Sequence, residues 1–420
     1  MQTLIVFLIV FSIIVVFHEF GHFYFARRAG ILVREFSLGM GPKLFARQGK
    51  DGTTYTVRML PLGGYVRLAG LNEEDNVHPG MEVGLTFNDA NQVSMINTSD
   101  KPELNEMPAQ VDEVDLAENM TIRVYQTGHE EAQTFDVSKE CRIIEEDGTN
   151  VKVAPIESRY ESASVWNKLL TNFAGPMNNF ILSIVCFILF AFLVPGIPSN
   201  SSTIGTVVED SPAQVAGLED GDQVIAINYN AVDTWTDLQQ YIASSPGEEL
   251  VFSVERDNQV IELPVQVNTV TNEDGTTIGQ IGVSVAMKTG VLDRIMYGFS
   301  ETWRIITSIL SVLVGMIKNG FDINQFGGPI AMAQMTNEVV DYGFTVIISF
   351  LAMLSANIGL LNLLPIPALD GGKIILNLIE AIRGKPLAQE KEGIITLIGV
   401  GIMFVFMIAV TWNDIMRAFF

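Results

Sequence analysis

The sequence has little of several residue types, and each scarcity excludes a class of protein. Two cysteines among 420 residues are too few for the disulfide framework of a small secreted scaffold, and no Cys-x-x-Cys pair suggests a zinc ribbon. Cys141 falls in a polar stretch and Cys186 in an apolar one, so we expect no disulfide between them. Lys and Arg number 25 against 48 Asp and Glu, for a net charge of −23. Nucleic-acid binding favours basic surfaces, so we expect no nucleic-acid partner.

Histidine is also scarce, with four in the chain, yet two of them stand together in His18-Glu19-Phe20-Gly21-His22. Histidines four residues apart lie on nearly the same face of a helix, about one turn apart. Both imidazoles can then reach one tetrahedral zinc ion, and Glu19 between them can act as general base for the hydrolytic water. The motif lies in an apolar segment, where a charge costs roughly 2.5 kcal/mol or more, so it calls for a function.

The chain is too apolar for one soluble domain, with 48% hydrophobic residues and a mean hydropathy of +0.31. Four stretches, at residues 3–25, 169–194, 344–366 and 394–416, reach the roughly 20 apolar residues that a spanning helix needs. The apolar stretch 305–317 is shorter, and we interpret it as an amphipathic interfacial helix. We therefore predict an α-helical polytopic membrane protein with four transmembrane helices in a lipid bilayer.

Basic residues set the predicted orientation. They cluster between the first and second apolar stretches and again between the third and fourth, at Arg27, Arg28, Arg34, Lys43, Arg47, Lys168, Lys373, Arg383, Lys385 and Lys391. These two connections are therefore expected on the cytoplasmic side, and residues 197–343 on the outer side. Because no basic n-region or small-residue cleavage site frames the first apolar stretch, we interpret it as a retained helix rather than a signal peptide.

The soluble stretches differ in character. Residues 31–70 contain short alternating runs bounded by glycine and proline, which predicts a membrane-associated β region. The acidic residues 71–157 form an insertion that is either a small α+β domain or partly flexible. Residues 202–268 alternate β-branched runs with glycine turns and one helix at 236–243, a pattern that resembles a circularly permuted PDZ domain of α+β class. PDZ domains bind an extended peptide as an added strand.

The resulting organisation has seven segments, and the PDZ peptide groove is expected beside Ile204, Gly205, Thr206 and Val207. The segments are the first transmembrane helix with the zinc motif (1–30), the membrane-associated β region (31–70), the acidic cytoplasmic insertion (71–157), the second transmembrane helix (158–196), the extracytoplasmic PDZ domain (197–275), a linker with an amphipathic helix (276–343), and the third and fourth transmembrane helices with a Leu-Asp-Gly motif (344–420).

A catalytic zinc site needs three protein ligands and one open position. His78 and His129 fall in the acidic insertion, outside the apolar stretches, so a carboxylate is the natural third ligand. Asp370 ends the third apolar stretch near its cytoplasmic end, at a depth that matches His18 and His22. Alternatively, Asp370 could cap a helix, a common role of Asp after a turn.

The approach to Asp370 contains two prolines. Pro365 and Pro367 remove backbone donors and stop regular helix, and irregular backbone at membrane depth is tolerated mainly where protein buries it or water reaches it. We therefore expect a hydrated cavity here, as hydrolysis in a membrane requires. Asn362 could hydrogen-bond the substrate backbone or the developing oxyanion, or it could merely satisfy backbone that the prolines free.

Together these motifs resemble the site-2 protease family of intramembrane zinc metalloproteases. The matching stretches are His-Glu-x-x-His, Asn-x-x-Pro-x-Pro-x-Leu-Asp-Gly at 362–371, Gly-Pro-x-x-Asn ending at Asn179, Pro-Leu-Gly-Gly-Tyr-Val at 61–66, and Gly-Gly-Pro-Ile at 327–330. One PDZ-like segment and the long acidic insertion look like the Gram-positive branch, which implies the plasma membrane of a bacterium.

The resemblance also implies residue roles. His18, His22 and Asp370 match the zinc ligands, and Glu19 matches the catalytic base. A weaker set, drawn from the remaining motifs, is expected at the substrate: Asn179, Asn362, Gly63, Gly64 and Pro367.

The first hypothesis is therefore an intramembrane zinc endopeptidase that cuts within or near the transmembrane segments of single-span membrane proteins, such as anti-sigma factors or signal-peptide remnants. In it, the β region holds the substrate extended as an added strand, and the PDZ domain rejects bulky ectodomains or binds a freshly trimmed end. A second hypothesis is a membrane-anchored PDZ binding module with structural zinc. A structural zinc site usually has four protein ligands and needs no general base, so the presence of Glu19 distinguishes the two hypotheses. A transporter is weaker, because the four apolar stretches show no repeat. The sequence predicts no oligomeric state.

Overall fold

The computed structural model describes residues 2–70, 77–101, 106–126, 131–271 and 275–419. The chain divides into two compact units, one formed by Met1–Cys186 with Glu301–Phe420 and the other by Phe187–Ser300. In chain order the helices are α1 (Gln2–Arg28), α2 (Val165–Leu193), α3 (Pro212–Val215), α4 (Trp235–Ala243), α5 (Val291–Asn319), α6 (Pro329–Asp341), α7 (Phe344–Asn362), α8 (Asp370–Arg383) and α9 (Gln389–Phe419).

Five of the described helices, namely α1, α2, α5, α7 and α9, are long and apolar enough to cross a membrane. Four of them match the predicted spans. The fifth, α5, is the least apolar of the five, and it is much longer than the amphipathic stretch 305–317 that the sequence predicts. The chain is a membrane protein, and α5 adds a candidate to the four predicted spans.

Three of the helices pack around one apolar core. Val10 and Ile14 of α1 meet Leu182 of α2 and residues 350–354 of α7 in a cluster of buried side chains. Small residues allow this close approach, since a β-carbon at Gly21 of α1 would collide with the backbone of α2. Small residues are the usual means by which membrane helices come together.

The β region predicted at 31–70 consists of two long strands, β1 (Val33–Gln48) and β2 (Thr54–Leu68). Both strands bend, because Phe36 pairs with Val66 on one side and with Tyr55 on the other, and Tyr55 pairs in turn with Arg47. Each strand therefore contributes two paired segments, called ribbons below. The four ribbons lie side by side in the order 43–48, 54–58, 33–38 and 64–68. Residues 64–68, hereafter the edge ribbon, pair with no other strand in the described part of the chain.

The acidic insertion is a small β-barrel. Its strands are β3 (Glu82–Phe87), β4 (Val93–Asn97), β5 (Met107–Asp115), β6 (Thr121–Gln126), β7 (Ala132–Ile144) and β8 (Asn150–Lys152). They pair in the order β4-β3-β5-β6-β7-β8, and β4 also pairs with β7, which closes a five-stranded ring around a buried apolar core. The predicted alternative of an α+β domain is wrong for the described residues between 77 and 153, which contain no α-helix.

The barrel was hard to recognise because its strands carry acid on their outer face. In β6, Ile122 and Val124 are buried and their neighbours point outward, so the alternation is that of a half-buried strand. Cys141 is buried in the same core, where burial raises the pKa of its thiol to about 12. Cys141 and Cys186 are both free, as predicted. His129 lies outside the described residues, and His78 is exposed.

The second unit is an α+β domain. It contains β9 (Ile197–Pro198), β10 (Ile204–Val207), β11 (Gln223–Ile227), β12 (Asn230–Ala231), β13 (Glu249–Arg256), β14 (Gln259–Gln266), β15 (Asn268–Thr271), β16 (Thr277–Gln280), β17 (Val283–Val285) and β18 (Met287–Lys288), with α3 and α4. The predicted helix is present as α4, where Thr234 and Asp237 form a capping box. The strands run on to Lys288, beyond the predicted boundary at 275.

The strand predicted to border the peptide groove is engaged on both sides. The Ile204 amide donates to the Asp222 carbonyl (2.8 Å), the Ile204 carbonyl accepts from the Gly221 amide (2.9 Å), and the opposite side of β10 pairs with β17. Ile204 itself is fully buried. Ile204, Gly205, Thr206 and Val207 therefore offer no open strand edge. Among the described strands of this sheet, the open edge belongs to β17.

Candidate active site

His18 and His22 of α1 converge with Asp370 of α8. The Nε2 atoms of His18 and His22 lie 3.2 and 3.3 Å from Asp370 Oδ2, and they lie 3.2 Å from each other. Within the described part of the chain, these three form the one group of His, Cys, Asp or Glu side chains whose donor atoms converge tightly enough to hold a metal ion. The two histidines predicted from helical spacing and the carboxylate predicted from topology therefore converge.

The donor set fits zinc. Two imidazoles and one carboxylate are a known ligand set of catalytic zinc in metallopeptidases. Asp370 Oδ2 is buried and has no hydrogen-bond partner, which is costly for a carboxylate oxygen unless a cation meets it. Asp370 is the first residue of α8, whereas Leu369 occupies the N-cap position and no side chain caps the helix. The alternative interpretation of Asp370 as a helix cap is therefore wrong.

The Nδ1 atoms of both histidines, which face away from Asp370, have partners on α2. His22 Nδ1 lies 2.8 Å from the Thr171 carbonyl, so it carries the proton and leaves Nε2 free as a ligand. His18 Nδ1 lies 3.2 Å from Asn179 Nδ2, while Asn179 Oδ1 is buried without a partner. The orientation of an amide is an assignment, and a half-turn would let Oδ1 accept the Nδ1 proton of His18.

Asn179 thus differs from its expected role in substrate handling. It is fully buried, it contacts the back of a ligand, and its carbonyl accepts from Ser355 Oγ at 2.8 Å. Sequence reasoning found the residue by its motif, but it missed Thr171, whose carbonyl carries no side-chain signature.

Gly175 brings α2 against the two histidines. A β-carbon there would collide with His22 Nε2 and lie 2.9 Å from His18 Cε1, distances that real β-carbons do not reach. The Gly-Pro pair in an apolar stretch was the available signal, although a kink would explain it equally well. The glycine is required by the space that the imidazoles occupy.

A cavity of about 240 Å³ opens beside the three ligands, as expected for a hydrated site. Glu19 lies in its wall, next to His18. The full lining is His18, Glu19, His22, Tyr65, Val66, Leu68, Asn172, Asn362, Ala368, Leu369, Asp370 and Lys373. A carboxylate and a potential metal centre therefore share one small space that can admit water.

The weaker predicted residues divide between the cavity and its surroundings. Asn362 lines the cavity, and its Nδ2 also donates to the Ile358 carbonyl at 3.0 Å, so both interpretations of Asn362 have support. A β-carbon at Gly64 would lie 3.6 Å from Glu19 Cγ, which places this glycine beside the predicted base. Gly63 and Pro367 do not line the cavity. Pro367 packs close to Gly399 of α9.

The edge ribbon forms one wall of the cavity through Tyr65, Val66 and Leu68. Burial, together with the nearby Glu35 carboxylate, raises the pKa of Tyr65 to about 12. The phenol therefore stays protonated and can act as a hydrogen-bond donor. Tyr65, Asn172 and Lys373 were not predicted as site residues, because only the folded chain shows that their side chains reach this space.

Comparison with known proteins assigns a family. Residues 6–406 match the model for peptidase family M50. A protein named "Probable protease eep" from Enterococcus faecalis is 47% identical over the whole of both chains. Proteins named as zinc metalloproteases are similar over almost their full length in Streptococcus pyogenes serotype M3 (45% identity, 100% of both chains) and Lactococcus lactis (44%, 100% of this chain and 99% of the relative).

Solved structures similar to part of the chain include two PDZ domains. The PDZ domain of an SdrC-like protein from Listeria monocytogenes is 20% identical, with a TM-score of 0.18, and the match covers 21% of this chain and 90% of that one. A homologous domain from Listeria innocua is 22% identical, with the same TM-score, over 22% of this chain and 97% of that one.

Proposed function

Because the chain belongs to peptidase family M50, we propose that His18, His22 and Asp370 hold the zinc ion of its active site and that Glu19 is the catalytic base. The protein is an intramembrane zinc metalloendopeptidase. The observation that carries the residue assignment is the convergence of two imidazole Nε2 atoms on one buried carboxylate oxygen of Asp370, with Glu19 in the same cavity. The three residues would hold a zinc ion, which would supply Lewis acidity toward the scissile carbonyl and the attacking water.

The protein's own groups supply the proton transfers and the orientation. Glu19 is placed to take a proton from the attacking water and to return it to the leaving amine, as a general base and then a general acid. The protonated Tyr65 and the amide of Asn362 face the same cavity. The Asn362 amide can donate a hydrogen bond to the oxygen on which negative charge develops, whereas the Tyr65 hydroxyl is already hydrogen-bonded to Glu35.

The edge ribbon supports the prediction that the substrate binds as an added strand. It has one paired side, against residues 33–38, and its residues line the active-site cavity. A helix that unwinds at the cavity could satisfy its freed backbone groups on such an edge. We therefore propose that a single-span substrate is held extended along residues 64–68 while it is cut.

Contacts among the helices support the predicted orientation. The bond from His22 to Thr171 places the C-terminal part of α1 beside the N-terminal part of α2, and Asp370, just after α7, reaches the same level. The basic clusters place this side in the cytoplasm. We propose that the protein lies in the plasma membrane of a bacterium, with the active site toward the cytoplasm and residues 197–290 outside.

The same reasoning supports four spans rather than five. Near the start of α5, Arg294 Nη1 donates to the Val194 carbonyl at the C-terminal end of α2 (2.9 Å). After α5, Asn337 of α6 accepts from Thr3 at the start of α1 (2.9 Å). The start of α5 and the helix that follows α5 both have contacts on the side opposite the zinc ligands, and Thr302 lies 3.0 Å from Ser183 of α2, so we propose that α5 is partly buried without completing a crossing. An interfacial helix agrees with its lower hydropathy.

The test of the active site replaces Glu19 with Gln in purified full-length protein. We expect retained zinc and a loss of cleavage of a single-span substrate by about 10²-fold or more, because general acid–base catalysis contributes at least that much. Asp370→Asn is the matched variant and should lose zinc instead. Full cleavage by Glu19→Gln would refute the base, and undiminished zinc in Asp370→Asn would refute the ligand.

A further inference from the structure

The hairpin turn between β7 and β8 of the barrel (residues 145–149) packs on the sheet that carries the edge ribbon. Arg67, within that ribbon, pairs with Glu145 through both nitrogens of its guanidinium: Nη2 lies 2.7 Å from Oε1, and Nη1 donates to Oε2 at 3.0 Å. Both side chains are three-quarters or more buried. One hydrogen bond and one close charge contact therefore join the turn to the edge ribbon.

A second set of contacts binds the same turn to the other ribbons. Lys43 Nζ lies 3.1 Å from Asp147 Oδ1 and donates to Thr149 Oγ1 at 2.5 Å. Thr54 Oγ1 donates to the Asn150 carbonyl, also at 2.5 Å. The turn therefore contacts three of the four ribbons of the sheet.

The turn itself is rigid enough to act as a support. The Glu145 amide donates to the Thr149 carbonyl at 2.9 Å, and Asp147 accepts from both the amide and the hydroxyl of Thr149. Gly148 adopts φ 76°, which glycine tolerates best. The Thr149 hydrogen bonds and the Lys43 ammonium hold the pKa of Asp147 below its usual value, so this carboxylate is charged at neutral pH.

A relay of charged groups also leads from the turn to the cavity. Arg58 lies 4.0 Å from Asp147 and 2.8 Å from the buried Glu35. Its guanidinium lies 5.5 Å from the centre of the Tyr65 ring, and Tyr65 lines the active-site cavity. Displacement of the turn would therefore shift Arg58 and, through it, Tyr65 in the cavity wall.

We propose that the inserted barrel is a brace that holds the edge ribbon in register with the zinc ligands, with Glu145 and Asp147 as its positioning residues. The proposal rests on the proposed docking of substrate along residues 64–68. The edge ribbon pairs with another ribbon of the sheet on one side only. An incoming substrate strand can form regular backbone hydrogen bonds with it only if the position of its backbone is fixed. The brace fixes that backbone from outside the catalytic centre.

The test compares Glu145→Gln with Asp112→Asn in the full-length protein. Asp112 pairs with Arg123 at 3.1 Å between two strands of the same barrel, so its replacement removes a charge pair, although a more exposed one, from the barrel alone. We expect Glu145→Gln to raise KM roughly fivefold with little change in kcat or bound zinc, because one partly buried pair is lost. Hydrogen exchange at amides 64–68 should quicken. Asp112→Asn should change none of these.

Rescue separates positioning from general damage. Exchanging the charges, as Glu145→Arg with Arg67→Glu, should recover much of the KM that Glu145→Gln loses. An unchanged KM and unchanged exchange at 64–68 in Glu145→Gln would overturn the brace, as would an equal effect of Asp112→Asn. Hydrogen exchange is measured without substrate cleavage. The brace proposal can therefore be refuted while the protease assignment stands, and the protease assignment can be refuted while the brace proposal stands.

Discussion

Asn179 illustrates how much of this active site depends on residues that never touch the substrate. It lies behind His18, fully buried, and it is the nearest side-chain partner of the ring nitrogen that faces away from Asp370. Partners of this kind set the tautomer of a metal-binding histidine and raise its basicity. We therefore infer that Asn179 supports the proposed zinc site rather than the substrate path.

We expect Asn179→Leu, which keeps the volume and removes the amide, to weaken zinc binding by about tenfold or more. The neighbouring Asn178 is the matched control, because it is exposed and donates to the Phe17 carbonyl instead (2.9 Å). Competition with a chromophoric chelator gives the affinity of each variant. Equal zinc affinities for Asn179→Leu and the unchanged protein would contradict a role for Asn179 at His18.

At this scale the sequence predicted the convergence of His18, His22 and Asp370 well and the residues that support them poorly. His18 and His22 follow from helical spacing, and Asp370 follows from topology, since both arguments need only the period of a helix and the depth of a span. Thr171 and Gly175 act through a carbonyl oxygen and through the absence of a side chain. Neither property leaves a pattern in the sequence that would tell one threonine or glycine from another.

At the scale of elements, α8 matters because it carries Asp370. Its opposite end is held by Lys168 of α2, a nearly fully buried lysine whose Nζ lies 2.8 Å from Glu380. Between them, the Tyr160 hydroxyl accepts from the amides of Asn172 (2.8 Å) and Asn377 (3.0 Å). The start of α2 and the length of α8 are thus joined by a buried polar network.

We expect Tyr160→Phe to lower the free energy of unfolding by about 1–3 kcal/mol, because two buried amides lose their acceptor. Zinc should also bind more weakly, since α8 can then shift Asp370. Tyr342→Phe, at a residue that is 76% exposed, should be neutral by both measures. Thermal unfolding and zinc competition report the two effects, and a fully stable Tyr160→Phe would show that the network does not hold α8.

Element types were more predictable than their arrangement. The β region at 31–70 was expected from alternation, whereas its ribbon order comes from long-range pairing that alternation does not encode. The barrel was missed because polar and acidic residues on its outer face masked the buried positions of its strands. The length of α5 was underestimated because Arg304 and Lys318 seemed to bound a shorter apolar run.

At the scale of the whole molecule, the second unit begins and ends at neighbouring points. Ile197 of β9 pairs with Lys288 of β18, and Pro198 pairs with Met287. Everything between these strands could therefore be removed and replaced by a short glycine-serine link with little strain on the remaining chain. This makes the predicted size filter directly testable.

We expect excision of residues 199–286 to leave zinc binding intact and to allow cleavage of a substrate that still carries a bulky ectodomain. A pre-trimmed version of that substrate should be cut by both proteins, and it serves as the control for catalytic competence. Continued refusal of the untrimmed substrate by the excised protein, with normal cutting of the trimmed one, would show that the domain is not a size filter.

Gly175 has a consequence that is best stated in genetic terms. Each single-base change in a glycine codon that alters the amino acid introduces a β-carbon, and any β-carbon at this position collides with His22. No conservative replacement exists, so we expect no amino-acid substitution at position 175 to be tolerated. In a saturation library selected for protease activity, codon 175 should be as depleted as the codons of the ligands themselves, although its residue donates nothing to the metal.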